Sequence, residues 1–530
     1  MSSISTCFGS GLRLAAAQTI KPRSRSCIVK TSDRLLRSLS TQATRRAAFG
    51  RTGLNARASS STLNSTRSIS FTPHSKSSAT LSHVPPAAFN QEESYHRSDS
   101  KTDSLPILTT PAVANWLYLS SGLVFFIVVV GGVTRLTESG LSITEWEPVK
   151  GILPPIGDEQ WMVEWEKYRV TPEGVLMNSQ LDLPAFKRIF YMEWAHRIAG
   201  RVLGVGFILP AIYFVSRGKV GPNVRWKLLA LAGGIGFQGF LGWYMVKSGL
   251  SEEILSTPGA VPRVSQYRLA MHLGAALLLY TGMVHTAIGI NRDWKYAMGQ
   301  GKTAGVDVKN LMNVLDQPAV RRFGKWASVV TAAVLFTAVS GAFVAGLDAG
   351  LIYNEFPLMG GAIVPPLDEM MDSRYAQKED GSDKWWRNML ENPTTVQFDH
   401  RAFAMTTFAC VASLPLLATR PALRRALPPN AIKWSKVALG AGLLQVTMGI
   451  TTLLMLVPVP LAAAHQAGSV VLLTTMLGLL GTLRRPSRIS RMWAEAKRNG
   501  TSFSTGTRTR LSSEALKGVK SGMEARVNIP

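Results

Sequence analysis

Eight stretches of this chain are apolar for long enough to cross a bilayer, and that limits the fold more than any other feature. They run approximately over Asn115–Thr134, Ile189–Val215, Lys227–Val246, Tyr267–Ile290, Trp326–Ala345, Phe398–Thr419, Trp434–Leu456 and Pro460–Leu483. A backbone polar group in hydrocarbon finds no water, so only helices and closed barrels span it. Runs of about 20 apolar residues are the helical solution, and eight of them predict an all-α polytopic membrane protein. Trp116, Trp226, Trp326 and Trp434 stand at the starts of spans, where an indole suits the membrane–water interface.

The connections give these spans an orientation. Residues 216–227, 291–325 and 420–436 hold sixteen Lys and Arg against three acids, whereas loops 136–185 and 347–397 hold eighteen acids against seven basic residues. By the positive-inside rule the basic loops and both termini share one face, and the long acidic loops share the other. Upstream, residues 1–91 carry thirteen Lys and Arg against one acid, Asp33, with many Ser, Thr and Ala. No apolar run there suits a secretory signal, so the segment reads as a mitochondrial transit peptide, cleaved between roughly Arg46 and Lys76. The expected setting is the mitochondrial inner membrane, with the basic face in the matrix and the acidic loops in the intermembrane space. The net charge of +25 belongs to targeting, tail and topology, and implies no nucleic-acid partner. Of three cysteines, Cys7 and Cys27 fall in the presequence and Cys410 in a span, which excludes a disulfide framework, a cysteine zinc site or covalent heme attachment within the chain.

The second half of the chain repeats the first. Gly131 to Leu141 (GGVTRLTESGL) lines up with Gly341 to Leu351 (GAFVAGLDAGL). Each continues through an acid–aromatic pair (Glu145-Trp146, Glu355-Phe356) to a double proline (Pro154-Pro155, Pro365-Pro366). His196-Arg197 then matches His400-Arg401, Gln238 with Gly242 matches Gln445 with Gly449, and His272 matches His465. Four spans per repeat return the chain to its starting side, so the repeats are parallel and related by a pseudo-two-fold along the membrane normal. The expected architecture is two four-helix bundles side by side.

His196, His272, His400 and His465 fall near the starts of the even-numbered spans, all at one depth near the intermembrane-space face, two per repeat. Paired neutral imidazoles projecting from two helices of a bundle form an axial clamp for heme iron. A His-bound metal without porphyrin stays open on spacing alone. His285, about 20 Å deeper than His272 and without a repeat partner, reads as structural. Arg197 and Arg401 either pair with heme propionates or snorkel to the interface, and Arg135 is open in the same way. Gln238 and Gln445 read as interhelical hydrogen-bonding residues.

Glu193 lies three residues before His196, on the same helical face and about 4.5 Å away along the axis. An acid in the first turn of a helix is favoured by the dipole, but an ionisable group beside a metal-binding His inside a span is a functional candidate. The repeat separates the two histidines' settings: Glu193 aligns with Gln397, so only the first half has an acid able to move a proton there.

Taken together, these motifs resemble the heme A synthase family, in its mitochondrial Cox15 type, over about residues 105–485. The resemblance rests on Gly131 to Thr137 with Ser139-Gly140-Leu141-Ser142, on Trp146-Glu147-Pro148 through Pro154-Pro155, on Glu193-Trp194-Ala195-His196-Arg197, and on Gln238-Gly239-Phe240-Leu241-Gly242-Trp243 with the later histidines. It implies oxidation of the C8 methyl of heme O to a formyl group, giving heme A for cytochrome c oxidase by successive hydroxylation, with oxygen from water. It implies that His400 and His465 bind a heme b cofactor, that His196 and His272 bind the substrate heme, and that Glu193 is catalytic. Many bacterial relatives carry a cysteine pair in the first external loop; residues 136–185 have none, so a mechanism needing that pair does not operate here.

Implied partners are a ferredoxin-type electron carrier, heme O synthase and cytochrome c oxidase assembly factors; a homo-oligomer stays open. The expected division is 1–91 transit peptide and basic segment, 105–290 the substrate-heme repeat, 291–325 a matrix linker, 326–485 the heme b repeat and 486–530 a basic matrix-facing tail. Two other classes compete. A cytochrome b561-like electron carrier needs hemes near opposite faces, and a proton-coupled transporter needs broken midplane helices at matched positions.

Overall fold

The computed structural model describes residues 105–147, 151–256, 261–300 and 308–499, and eight helices among them are long and apolar enough to span a membrane. They are α1 (Pro111–Leu136), α2 (Leu183–Ser216), α3 (Pro222–Gly249), α4 (Gln266–Met298), α5 (Pro318–Gly346), α6 (Pro393–Ala418), α7 (Pro429–Leu454) and α8 (Val459–Leu483). The expected transit peptide and the end of the basic tail lie outside the described residues.

Polar signals set the helix starts, which apolar runs alone do not reveal. Every one of the eight except α4 has proline in its first turn, where the missing N–H costs nothing. Asp182 caps α2 by accepting from Ala185 N, and Asn392 caps α6 by accepting from Thr394 N. Both helices therefore begin well before the expected Ile189 and Phe398. The consequence reaches the site: Glu193 sits near the end of the third turn of α2, beyond the reach of the dipole at its N-terminus.

Within the first half α1 packs on α2 and α4, and α3 on α4; within the second, α5 packs on α6 and α8, and α7 on α6 and α8. The halves join through α1, α4, α5 and α8, whose Leu277, Met283, Val330, Val334, Leu473 and Met476 belong to one buried core. Two polar contacts lock that seam: Tyr280 and Thr474 hydroxyls lie 2.7 Å apart, and Gln466 Nε2 donates to the Val128 carbonyl at 3.0 Å. A Cβ on Gly132 would overlap the Gln466 amide, so glycine there lets the helices approach.

The tryptophans depart from the interface expectation. Trp116 is buried, its indole donating to the Gly206 carbonyl with Phe207 and Phe214 against its ring. Trp326 donates to Ser413 Oγ, and the Trp434 ring lies against Gly478. A large apolar ring with one donor fastens helix pairs as well as it meets headgroups; only Trp226 is well exposed.

The long acidic loops are folded. The first forms helices Asp158–Arg169 and Pro172–Leu176, with Trp161 and Tyr168 packed on Phe186 and Phe190 of α2. The second carries helix Lys384–Glu391, braced by Arg387 between Asp383 (2.6 Å) and Glu391 (2.8 Å). Beyond α8, helix Arg488–Arg498 docks on α4, with Ser490 Oγ donating to the Asp293 carbonyl at 2.7 Å.

Candidate functional site

A cavity of about 1910 Å³ opens between the helices, walled by His196, His272, His400, His465, Glu193, Arg197 and Arg401 together. Small-molecule sites usually fall within about 300–1,000 Å³, so this one has room for more than one sizeable ligand. His285 is not part of its wall. Within each half the imidazoles pair, His272 lying within electrostatic reach of His196 and His400 of His465.

Each imidazole rests against a glycine of the preceding spanning helix. A Cβ on Gly131 of α1 would stand 2.7 Å from His196 Cε1, and one on Gly449 of α7 2.8 Å from His465 Cε1. At Gly242 of α3 and Gly341 of α5 the distances to His272 and His400 Cε1 are 3.4 and 3.3 Å. Backbone and ring approach so closely at the first pair that any side chain would push the ring aside. Gln238 and Gln445 bond between helices as expected, Nε2 donating to the His272 carbonyl at 3.1 Å and to the His465 carbonyl at 2.9 Å.

One imidazole has its tautomer fixed by the protein. Nδ1 of His400 lies 2.7 Å from Ser340 Oγ, while the Ser340 hydroxyl donates to the Thr337 carbonyl at 2.8 Å. Its single proton being committed, Ser340 accepts from Nδ1–H, and Nε2 keeps the lone pair. The matching residue of the first half is Val130, which has no hydroxyl. Nδ1 of His196 is buried without a partner, as are Nδ1 of His272 and His465. Among the described residues no group of three or more His, Cys, Asp and Glu is placed to hold a bare metal ion. Paired neutral imidazoles on a roomy cavity fit axial ligation of heme iron.

Beside these pairs the two halves build the same clamp with different charge. Glu193 is buried and accepts four hydrogen bonds: from Ser142 Oγ (2.8 Å), Ile143 N (2.9 Å), and Arg197 Nε (3.1 Å) and Nη2 (2.7 Å). Arg197 also donates to the carbonyls of Ile143 and Glu145, both at 3.0 Å. In the second half Gln397 Nε2 and Arg401 Nη2 donate to the Tyr353 carbonyl at 3.0 and 2.8 Å, and Arg401 Nη1 to that of Leu358 at 3.1 Å. Tyr353 is the repeat equivalent of Ile143. Each arginine thus ties its helix to the loop that follows the first span of its half. Arg135 does the same between halves, meeting Asp348 at 2.9 Å, which Arg263 meets at 3.2 Å.

Two further polar residues stand out. Ser340 is legible in hindsight as the one hydroxyl beside the matched glycines, opposite Val130. Glu173, in helix Pro172–Leu176, also lines the cavity; it is 5% exposed and its Oε2 has no hydrogen-bond partner. Burial first, then the negative charges of Glu193 and Glu138, push its carboxyl up to about 8, with Tyr168 and Arg135 opposing. Nothing in its sequence neighbourhood, Thr171-Pro172-Glu173-Gly174, separates it from the other acids of the loop.

A family model described as cytochrome oxidase assembly protein, COX15-CtaA, matches residues 114–477. The chain is 46% identical to the heme A synthase COX15 of Saccharomyces cerevisiae, over 73% of this chain and 79% of that protein. It is 43% identical to the human heme A synthase COX15 over 73% of this chain and 87% of that one. A heme A synthase–mitochondrial ferredoxin fusion protein of Schizosaccharomyces pombe is 47% identical over 72% of this chain and 60% of the fusion. The family model runs from the first span into the eighth and takes in both histidine pairs, and on these matches the chain belongs to the COX15-CtaA family of cytochrome oxidase assembly proteins.

Proposed function

We propose that this protein is a heme A synthase, oxidising the C8 methyl of heme O to the formyl group of heme A, with its two histidine pairs divided between substrate and cofactor. His196 and His272 hold the substrate heme, His400 and His465 hold heme b, and Glu193 handles protons at the substrate side. The carrying observation is the Ser340–His400 bond at 2.7 Å against Val130 in the first half. An outer hydrogen bond that fixes a ligand's tautomer tightens metal binding. A resident cofactor benefits from that bond; a substrate that must leave as product does not.

Heme b held between His400 and His465 would supply a redox centre to the site. The chain's own residues do the rest. The glycines seat the imidazoles against the helices, and buried Leu277 and Leu472 give the cavity apolar lining. Arg197 and Arg401 fix the loops over their sites. Glu193, one turn before His196 on α2, is held by four donors from Ser142, Ile143 and Arg197. The matched contacts of the halves support two parallel four-helix repeats, 105–290 and 326–485, about a pseudo-two-fold along the membrane normal, with 291–325 as linker. The loop charges support a mitochondrial inner-membrane setting, with both termini in the matrix and the site toward the intermembrane space. The ferredoxin fusion relative supports a ferredoxin-type electron partner. An electron carrier would need its sites near opposite faces, whereas all four histidines line one cavity.

The test is to express the protein in cells supplied with heme O and to extract the pigments. Heme A is expected from the wild type, and from Glu193→Gln only heme b. Heme b retained by His400→Ala would sink the cofactor assignment, and unchanged heme A from Glu193→Gln would sink the role of the acid.

A further inference from the structure

The oxidation of a methyl to a formyl group with oxygen from water releases protons and electrons in equal number, so the cavity must pass protons to water repeatedly. Glu193 is poorly arranged to do that alone, because Ser142, Ile143 and Arg197 already occupy both of its oxygens. Glu173 has the opposite arrangement. It faces the same cavity from the loop above, it is 5% exposed, and its Oε2 has no hydrogen-bond partner. A buried carboxyl oxygen with no donor costs free energy as an anion and much less as an acid.

We propose that Glu173 is the proton-exchanging acid of the first half, holding a proton at Oε2 and passing protons between the Glu193 side of the cavity and the water outside the loop. It is a positioning and relay residue rather than one that touches the reacting carbon. Only an O–H bond forms and breaks at Oε2, and no electron moves there. The inference rests on the heme A reading for the origin of the protons.

The groups around Glu173 suit this task. Glu138 follows α1 in a left-handed turn (φ 51°), and Glu193 lies on α2; both are negative and raise the affinity of Glu173 for a proton. Tyr168, on helix Asp158–Arg169, interacts with the carboxyl and accepts from Asn178 Nδ2 at 2.6 Å. Arg135 is the cation that acts against protonation, and it is partly engaged by Asp348. Glu253, on helix Glu253–Ser256 packed against Pro172–Leu176, adds a further acid on that side. With its titration near 8, Glu173 exchanges protons at ambient pH with little driving force lost in either direction.

The experiment uses the full chain, purified with its bound heme. Infrared spectra of the wild type are expected to show a protonated-carboxyl band at neutral pH that fades as pH rises through about 8, and that band should be missing from Glu173→Gln. Heme A formation by Glu173→Gln should fall on the order of tenfold or more, with heme content unchanged. Glu173→Asp should restore the rate with a displaced pH profile, which a merely structural role would not produce. A band that survives in Glu173→Gln, or a Gln variant with the wild-type rate and pH profile, would overturn the proposal. A wild type that shows the band but makes no heme A would instead overturn the heme A reading, and the relay with it, while leaving the acid itself in place.

Discussion

The two halves of this protein differ less in their scaffold than in two side chains. At the clamp beside the first histidine of each half, Glu193 stands where the second half has Gln397; behind that histidine, Val130 stands where the second half has Ser340. The first half therefore has an acid beside an imidazole whose Nδ1 has no hydrogen-bond partner. The second has a neutral amide beside an imidazole whose tautomer is fixed. Under the proposed assignment of the two histidine pairs, these two positions set the halves apart, with the histidines themselves unchanged.

Exchanging the clamp residues is the harshest challenge to that division. Glu193→Gln is expected to lower heme A formation by on the order of 100-fold or more, the range of a lost proton-transfer group. Gln397→Glu should not transfer activity to the second half, because Gln397 Nε2 donates to the Tyr353 carbonyl and a carboxylate would face that oxygen without a donor. Heme A in the extracted pigment measures both, and recovery of synthesis in the double exchange would mean that the acid works from either half.

The hydroxyl behind His400 gives the next largest effect. Ser340→Ala removes the acceptor of Nδ1–H and is expected to weaken retention of heme b by about 10- to 100-fold, as losses of such outer bonds do at metal sites. Competition with an apo-heme scavenger reads this directly. Val130→Ser should move the other way, tightening heme at the first half and slowing product release. Equal heme retention in all three proteins would remove the distinction between resident and exchangeable sites.

The glycine seats sharpen the comparison further, because tightness alternates between halves. Gly131→Ala and Gly449→Ala place a methyl 2.7–2.8 Å from an imidazole carbon, whereas Gly242→Ala and Gly341→Ala place it 3.3–3.4 Å away. The first two are expected to cost about 1–3 kcal/mol of overpacking and to broaden or shift the heme absorption bands. The second two should cost less, since the ring need give way by only a few tenths of an ångström. Heme spectra that changed equally in all four would show that the close approaches at Gly131 and Gly449 relax without effect on the rings.

Much of this was legible in the sequence, and what was not has a physical reason. The eight spans follow from apolar run length, because hydrocarbon forbids most alternatives. The His–Gly contacts recur at repeat-matched positions, Gly131–His196 with Gly341–His400 and Gly242–His272 with Gly449–His465, but the contacts themselves depend on how neighbouring helices pack and are not written in the sequence. Helix starts were missed by five or six residues at α2 and α6, since Asp182 and Asn392 caps lie in polar sequence outside the apolar run. Trp116 and Trp326 show the reverse error: position at a span start says nothing about which way an indole turns. Glu173 was invisible for a different reason, since its burial comes from the folding of a loop around Tyr168 and Gly174, which no local pattern encodes.

The smallest expected effect compares the loops themselves, each with one buried acid. Burial raises Glu173, helped by Glu193 and Glu138, up to about 8 from an ordinary value of 4.5. In the second loop burial also works against Asp383, but Arg387 and the backbone N–H groups of Gln377 and Lys378 outweigh it and hold the carboxyl below its usual range. The signs are opposite. A group raised on folding binds its proton more tightly in the folded loop, so its contribution is complete below about 4.5 and is lost as pH rises through about 8. A group lowered on folding contributes above its unfolded value and loses that contribution as pH falls through its folded one. The first loop should therefore loosen on the alkaline side and the second on the acid side, as followed by hydrogen exchange in peptides from 158–176 and 377–391. Glu173→Gln should abolish the alkaline loosening of the first loop alone, and Asp383→Asn should loosen the second loop at neutral pH. Parallel behaviour of the two loops across the pH range would mean that their stability is set elsewhere, and that the division between the halves stops at the membrane surface.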